Sequence, residues 1–430
     1  MERAIVLSMV NAYAPVCLPP EVERALDRGH EKKTHCDSVF RSLLGVSLDS
    51  YPHISLAPRN EQSSVPGERK RTKAVFLAAV IAIFIATLWP FDPFVRNGVT
   101  WLQGTRGLKF EKPGVVVSKE YLKPGETTGS YSLEFLVRPA SWKSGTILGF
   151  YSDAPPTQLL IAQSGDRLIV THDVAMQSGK IATMEFHLSH VLLPGRLALV
   201  TLSSGPDGTA VYLDGKTAVS IPLLKFSRSE LSGHIVLGTA PASYEPWEGE
   251  LQGLAIYSKE LKIEDALRHY EEWTDPSGSD EDDGAIAHYR FAEAAGSEIL
   301  SDVPSGPQLE IPAIFSVPHK PFLRSAKKEF KAARSYAKDV LLNIAGFVPL
   351  GLIACAYFSW TRSRWKAILI AISACGALSF VIEVLQYYIP PRFSGTTDIL
   401  TNTLGAAVGA ALIRSGAVRQ ALKETKLIRS

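Results

Sequence analysis

The apolar residues of this chain are concentrated in four long stretches. They cover residues 74–91, 340–360, 367–389 and 399–413. A helix that crosses the hydrocarbon core of a bilayer needs roughly 20 apolar residues, with a range of about 17 to 25. The first three stretches reach this length. The fourth is short, so it must thin the bilayer or pack tightly among the others, unless it is a buried core helix. The pattern predicts four transmembrane helices.

Clusters of basic residues lie at those ends of the stretches that a four-helix topology places on the same side of the membrane. They are Arg69, Lys70, Arg71 and Lys73 before the first stretch, Arg362, Arg364 and Lys366 between the second and third, and Arg414, Arg419, Lys423, Lys426 and Arg429 after the fourth. Lys and Arg near the ends of membrane helices favour the cytoplasmic side. Both termini are therefore predicted to be cytoplasmic, and residues 95–338 to lie outside the membrane.

The segment at residues 97–273 has the pattern of many short strands. Leu133, Phe135 and Val137 alternate with polar residues, as in a strand that has one buried face. Asp214 and Gly215 separate two further strand patterns and predict a tight hairpin turn. Turns at short, regular spacing predict an antiparallel sandwich or jelly roll, closed by a helix at residues 261–273.

The fold class predicted is a multidomain membrane protein, with an all-α four-helix transmembrane unit and an all-β antiparallel jelly-roll sandwich. A basic amphipathic part of the linker, at residues 324–338, is expected to lie along anionic lipid headgroups. The predicted segments are a poorly ordered cytoplasmic tail at 1–72, the first transmembrane helix at 73–94, the extracytoplasmic jelly roll at 95–275, a linker and juxtamembrane segment at 276–338, transmembrane helices two to four at 339–414, and a cytoplasmic tail at 415–430.

Composition and cysteine positions exclude several classes of function. The chain has 45 basic and 43 acidic side chains, a net charge of +2, so it lacks the basic excess with which proteins meet nucleic-acid phosphates. Cys17 and Cys36 precede the first apolar stretch, and Cys355 and Cys375 lie within later ones. This placement matches no zinc motif and leaves the sandwich without disulfides. We predict no cofactor and no bound metal.

The sandwich pattern carries no clear catalytic pair. Jelly-roll glycosidases place two carboxylates on one strand in an E-x-D-x-x-E pattern, which this chain lacks. Trp101, Trp142 and Trp247 could stack on sugar rings, but tryptophans of a sandwich are more often part of its core.

Polar residues inside apolar stretches are costly, and here they share one depth. Three pairs of polar residues are each three or four residues apart, so the two members of a pair share one helical face. The predicted topology brings all three pairs, together with an arginine of the loop between the last two helices, to the outer end of the helices. The set is Asp339, Asn343, Glu383, Gln386, Arg392, Asp398 and Asn402. It predicts a polar cluster that binds a ligand or carries catalysis, unless it only fixes helix packing. Gly405 and Gly409 form a small-xxx-small pair that predicts close helix packing.

The strand order resembles the concanavalin A-like, laminin-G-like jelly-roll family. The matching segments are SLEFLVRP within residues 131–139, VYLDGK at 211–216, HIVLG at 234–238 and EGELQGLAIYSKEL at 248–261. Domains of this type often bind glycans or proteins, so the resemblance implies a glycan or protein partner for the sandwich.

The helical segments resemble the VanZ-like membrane family. The family's L-x-PF, D…N…P-L-G, E-x-x-Q, P-x-R and D-I-L-x-N-x-x-G-A-x-x-G patterns are all present. They correspond to Leu88, Pro90 and Phe91, then Asp339, Asn343, Pro349, Leu350 and Gly351, then Glu383, Gln386, Pro390 and Arg392, and then Asp398, Ile399, Leu400, Asn402, Gly405, Ala406 and Gly409. The departure is the large jelly roll, where the family's compact form has a short loop.

The resemblance implies a protein of the bacterial cell envelope, in the inner membrane. A link to glycopeptide antibiotic resistance or to lipid-linked envelope precursors is implied in the same way. As a non-enzymatic protein, it would bind a lipid headgroup through Arg392, Asn343, Gln386 and Asn402. As a membrane-embedded enzyme, the alternative, it would use Glu383 as general acid or base, with Asp398 orienting a partner or joining Asp339 on a divalent metal. The lipid bilayer is the one partner common to both.

Overall fold

The computed structural model describes residues 66–125, 129–152, 158–175, 181–274, 284–329 and 334–428. Most of the predicted N-terminal tail, together with Cys17 and Cys36, lies outside these ranges. In the described part, helices occupy both ends of the chain and strands occupy the middle, as the apolar pattern predicts.

The strands lie between residues 99 and 310. In chain order they are β1 (Val99–Trp101), β2 (Leu108–Phe110), β3 (Val116–Ser118), β4 (Tyr131–Pro139), β5 (Gly145–Tyr151), β6 (Gln158–Ser164), β7 (Arg167–Ala175), β8 (Ile181–Leu188), β9 (Ala198–Gly205), β10 (Gly208–Leu213), β11 (Lys216–Ile221), β12 (His234–Leu237), β13 (Gly249–Tyr257), β14 (Ala285–Tyr289), β15 (Glu298–Ile299) and β16 (Leu309–Glu310).

These strands form two antiparallel sheets. One has the order β1-β2-β13-β4-β9-β10-β11, with β14 also paired to β13, and the other has the order β15-β16-β3-β12-β5-β6-β7-β8. Phe135 and Leu254 of the first sheet and Phe150 and Ile161 of the second belong to one fully buried cluster. The faces of the two sheets therefore enclose a single core, which confirms the predicted sandwich. Asp214 and Gly215 both have positive φ, as the predicted hairpin turn requires.

A helix covers the outer face of the first sheet. The predicted closing helix is present at Ile263–Thr274. Its His269 ring contacts the fully buried Glu134 carboxylate at 2.8 Å, and Thr201 and Tyr257 donate to the same carboxylate at 2.8 and 3.1 Å. The polar face of β4 is therefore buried and hydrogen-bonded, because the helix excludes solvent from it.

The sandwich continues beyond residue 275, where the predicted linker begins. β14 pairs with the edge of β13, and β16 joins β15 to β3. Tyr289 and Phe291 are buried against each other in the core. The difference arises because β15 and β16 are very short and the pairing of β16 with β3 joins segments far apart in the chain, so little periodic pattern marks these strands.

The helices, in chain order, are α1 (Pro66–Leu88), α2 (Arg228–Leu231), α3 (Ile263–Thr274), α4 (Ala326–Glu329), α5 (Arg334–Phe358), α6 (Arg364–Tyr387), α7 (Thr396–Leu412) and α8 (Gly416–Glu424). Within the described residues, three are long and apolar enough to cross a membrane, namely α1, α5 and α6. The fourth predicted span, α7, has 17 residues and extends about 25 Å, short of a hydrocarbon core of about 30 Å. It packs between α5 and α6 instead of standing alone.

The chain beyond α7 folds back on the bundle. The predicted C-terminal tail contains α8, after which the backbone oxygen of Leu427 accepts hydrogen bonds from Thr72 of α1 at 3.0 Å and from the Trp360 ring at 3.2 Å. Leu422 and Ile428 are buried against the helices. This end of the bundle is therefore closed by the chain itself.

Candidate functional site

The close packing of α5 on α7 rests on glycines. A side-chain carbon added to Gly405 would overlap the backbone oxygen of Ile344, and one added to Gly409 would overlap that of Val348. On the opposite helix, one added to Gly351 would overlap the backbone of Ala406. The backbones of α5 and α7 therefore touch directly, and the polar residues near the N-terminal ends of the two helices face each other.

Two of the predicted polar residues meet across this contact. The Asn343 side-chain amide of α5 donates to the Asp398 carboxylate of α7 at 2.8 Å. Asp398 lies in the first turn of α7, where the helix dipole favours a negative charge. Asp339, one turn before Asn343, is exposed and has no partner among the described residues.

Two more predicted residues hold the end of α1. The Gln386 amide donates to the backbone oxygen of Thr87 at 3.1 Å, and the Arg392 guanidinium donates to that of Trp89 at 3.4 Å. Carbonyl groups at the end of a helix lack partners within the helix, so these side chains complete the C-terminus of α1. The loop after α6 is thereby tied to the first helix.

These contacts surround a pocket of about 590 Å³. It lies where α1, α5 and the α6–α7 loop come together, next to the sandwich. Five of the predicted residues line it, and they are Asp339, Asn343, Gln386, Arg392 and Asp398. Apolar side chains of the helices complete the wall, including Leu342, which is 57% exposed. The pocket therefore combines charged groups with an apolar surface.

The other two predicted residues, Glu383 and Asn402, do not line this pocket. Glu383 is 1% exposed, and its carboxylate accepts the backbone N–H of Gly395 at 2.8 Å. Asn402 is buried and donates to the Ser379 hydroxyl of α6 at 2.9 Å. Both side chains join α6 to α7 and its preceding loop. The helical spacing predicts the depth of these two residues along their helices. Which neighbouring element each side chain contacts depends on how the helices pack.

The sequence prediction missed a cation that the linker supplies. Arg324 lines the pocket, with its guanidinium 4.3 Å from the centre of the Phe393 ring. The same guanidinium donates to the backbone oxygen of Ala242 in the sandwich at 2.9 Å. The backbone of Arg324 is hydrogen-bonded to Ser394 at 3.0 Å and to Thr396 at 2.9 Å. Arg324 therefore joins the sandwich to the pocket. The contact of residues 324–338 with lipid headgroups stays a prediction.

Lys320 reinforces the same junction. Its ammonium group donates to the backbone oxygens of Tyr387 and Ile389, both at 2.7 Å, at the C-terminal end of α6. Burial, together with the neighbouring Arg324, lowers the pKa of Lys320 to about 8. The group is therefore still mostly protonated at neutral pH, and a positive charge is favourable at this end of a helix.

No group of three or more potential metal ligands occurs among the described residues. Of the described residues that line the pocket, two are acidic, Asp339 and Asp398, and the Asn343 amide is hydrogen-bonded to the Asp398 carboxylate.

The sandwich has a groove of its own, of about 490 Å³. Strands β5 to β8 and the loop at 244–246 form it, and its lining includes Ser144, Thr171, Glu185 and Glu245. Trp142 lies in the loop that supplies Ser144 and is 60% exposed, so the expectation that it belongs to the core is wrong. Trp247 is in the core as expected, at 1% exposure.

Comparison with known proteins assigns the helical region. Residues 299–419 match the family model described as VanZ/LLP1. The matched range includes the linker from residue 299 onward, α5, α6, α7 and most of the pocket, but not α1. The assignment of Leu88, Pro90 and Phe91 to the family pattern therefore stays a prediction. No curated protein sequence matched the chain.

Three solved structures illustrate distant similarity to the chain. The receptor binding domain of botulinum neurotoxin D has 20% identity and a TM-score of 0.32, and the match covers 41% of this chain and 46% of that one. A heptameric SAP-like pentraxin from Limulus polyphemus has 15% identity and a TM-score of 0.32, covering 51% of this chain and 96% of that one. A botulinum neurotoxin D domain in complex with N-acetylneuraminic acid has 17% identity and a TM-score of 0.31, covering 41% and 45%.

The toxin matches span less than half of the toxin domains, and scores this low support no conclusion about function. The jelly-roll assignment therefore rests on the strand pairing itself. The chain carries a VanZ/LLP1 region with membrane-type helices, and an antiparallel jelly-roll sandwich lies between its first and second apolar helices.

Proposed function

We propose that the protein is a non-enzymatic protein of the bacterial envelope whose helical region binds the polar headgroup of a lipid-linked ligand. In this proposal the pocket is on the outer side of the inner membrane, the sandwich is extracytoplasmic and both termini are cytoplasmic. The basic residues at the opposite end of the helices support this orientation. The VanZ/LLP1 match is the basis for a role in handling lipid-linked envelope precursors or in glycopeptide resistance.

The lining of the pocket is the observation that carries the proposal. Arg324 and Arg392 enter it from the linker and the α6–α7 loop. A guanidinium can donate two parallel hydrogen bonds to a phosphate or carboxylate, so an anionic group is the best complement to this side. The exposed Leu342 beside them fits the start of an acyl or prenyl chain.

The opposite wall restricts the ligand further. Asp339 has no partner among the described residues, and a carboxylate there can accept hydrogen bonds from a hydroxyl or an amine. A ligand that fills the pocket therefore carries a donor group next to its anionic group. Phospholipids with an amine and polyprenyl phosphates with a sugar both have this combination.

A binding experiment on the purified full chain tests this proposal. Native mass spectrometry would compare phosphatidylethanolamine, an undecaprenyl phosphate that carries a sugar, and neutral diacylglycerol. We expect retention of the two phosphate lipids, and a loss of about tenfold or more in affinity for Arg392→Gln or Arg324→Gln, because hydrogen bonds to charged groups are lost. Lys338→Gln is the matched control, since Lys338 is exposed beside Asp339 but does not line the pocket.

Equal retention of all three lipids, or equal binding by the Arg392→Gln and Lys338→Gln proteins, would contradict the proposal. In cells, we expect Arg392→Gln to reproduce the envelope-lipid and glycopeptide-susceptibility profile of a deletion strain at normal protein level.

The enzymatic alternative has less support in this geometry. Glu383 would have to exchange a proton with a substrate, but its side chain is buried outside the pocket and already accepts the Gly395 N–H. A general acid or base must come within hydrogen-bond reach of the reacting group.

The groove of the sandwich favours glycan binding as a second function. Its hydroxyl and carboxylate groups can bond sugar hydroxyls, and the exposed Trp142 belongs to the loop that supplies Ser144 of the lining. On a glycan array, the full chain in detergent is expected to bind a subset of glycans, and Trp142→Ala to lose that signal. Leu223→Ala is the matched control, because Leu223 is 75% exposed and does not line the groove. If no glycan on the array is bound, glycan binding is contradicted, and a protein is then the expected partner of the sandwich.

A further inference from the structure

A second pocket lies at the other end of the helical bundle. The helices α5, α6 and α7 and the segment after α8 enclose about 190 Å³ there. Cys355, Ala367, Ile413 and Ile428 form an apolar floor, and all four are buried. The fold-back of the chain beyond α7 creates this space, because Ile428 is held in place by the bonds that Thr72 and Trp360 make to the preceding residue.

Three guanidinium groups form the rim of this second pocket. They belong to Arg362 and Arg364, on either side of the α5–α6 turn, and to Arg419 of α8. Among the residues that the structure describes, none partners these three side chains in a hydrogen bond or ion pair, and no acidic one lines the pocket. Like charges repel each other. Three guanidinium groups that line one space without a nearby carboxylate therefore create a local positive potential.

The first turn of α6 adds to this potential. Arg364 and Ala367, which both line the pocket, are in that turn. The N-cap residue Ser363 makes no side-chain hydrogen bond to the helix, so the first N–H groups of α6 are not capped by it. Such N–H groups and the positive end of the helix dipole favour an anion.

We propose that this pocket binds a phosphate group, either that of an anionic phospholipid headgroup or that of a soluble phosphate ester. The three arginines surround the phosphate and the buried apolar floor receives the carbon atoms next to it. The site is independent of the pocket lined by Arg324, Asp339 and Arg392 (the outer pocket), because the two share no residue and lie at opposite ends of the helices.

Binding to the purified full chain in a neutral detergent tests this assignment. Thermal unfolding would be followed while inorganic phosphate or dihexanoyl phosphatidylglycerol is added at constant ionic strength. The test protein is Arg362→Gln/Arg364→Gln/Arg419→Gln. Its charge-matched control is Lys366→Gln/Lys423→Gln/Lys426→Gln, because those lysines are exposed on the same side and do not line the pocket.

We expect the melting temperature of the wild-type chain to rise with the ligand. The apparent affinity of the arginine triple variant is expected to fall by about a hundredfold or more, since several hydrogen bonds to a charged group are lost. The lysine triple variant is expected to change by less than about threefold, because salt screens exposed charges outside the pocket. A further variant, with lysine at all three arginine positions, keeps the charge but loses the bidentate geometry and should bind with intermediate affinity.

The two ligands separate the two sources of phosphate. Stabilisation by phosphatidylglycerol alone identifies a lipid headgroup, and stabilisation by inorganic phosphate as well identifies a soluble ester. No stabilisation by either ligand, or an equal loss in the arginine and lysine triple variants, would overturn the proposal. Substitution of Arg324 and Arg392 leaves this site intact, so a failure here is distinct from a failure of the outer pocket.

Discussion

Replacing Gly409 with valine is expected to prevent assembly of the helical region. A Cβ atom at this position would overlap the backbone oxygen of Val348, which cannot rotate away as a side chain can. The backbones of α5 and α7 would have to separate. We expect a cost at or above the top of the range of about 1 to 3 kcal/mol that is typical of overpacking. Separation would also break the bond between Asn343 and Asp398 and distort the outer pocket.

The measurement is the yield of monodisperse protein and its melting temperature after extraction from the membrane. Gly346→Ala is the matched control, because Gly346 is also in a long apolar helix but has no atom within 4 Å of an added Cβ. It is expected to be neutral or slightly stabilising, since alanine favours a helix over glycine. A similar yield and melting temperature for the two variants would refute the direct backbone contact.

Replacing Glu383 with leucine is expected to destabilise the junction of α6 with the loop before α7. The Gly395 N–H would lose its acceptor in a buried place, at a cost of about 1 to 3 kcal/mol. Glutamine retains a side-chain oxygen that can accept this bond, so Glu383→Gln is expected to fold with a melting temperature close to that of the wild type. Thermal unfolding of the three proteins in detergent measures the difference.

The glutamine variant also separates the two functions considered for this residue. If Glu383 only holds the loop, Glu383→Gln keeps both the fold and lipid binding. A properly folded Glu383→Gln protein that loses all cellular function would instead favour the enzymatic alternative, since glutamine cannot exchange a proton as a carboxylate does.

The sequence was most informative about the helices, because a lipid bilayer fixes the length and the apolar character of a helix that crosses it. Apolar stretches of fixed length identified α1, α5 and α6, and the spacing of Gly405 and Gly409 predicted the close contact that the structure has. Polar side chains at helical spacing gave a common depth for the predicted cluster. Period and depth are local properties, and they can be read without knowledge of any neighbour.

The sequence could not show which residues of that polar cluster line the pocket and which contact the neighbouring elements. Gln386 faces α1 and the pocket, while Glu383, less than one turn away, faces the loop before α7. A spacing of three residues predicts a shared face, but that face is wide enough to contact two different neighbours. Which side chain lines the pocket therefore depended on how three helices and a loop meet.

The sequence by itself determined the apolar helices, the jelly-roll pattern, the VanZ-type motifs and the depth of the polar residues. These follow from short-range periodicity and from the cost of burying polar groups. Only the tertiary structure decided that β15 and β16 belong to the sandwich, that Arg324 joins the outer pocket, and that Arg362, Arg364 and Arg419 line a second one. In each case the contact joins segments far apart in the chain, and no local pattern records which distant partner a residue meets.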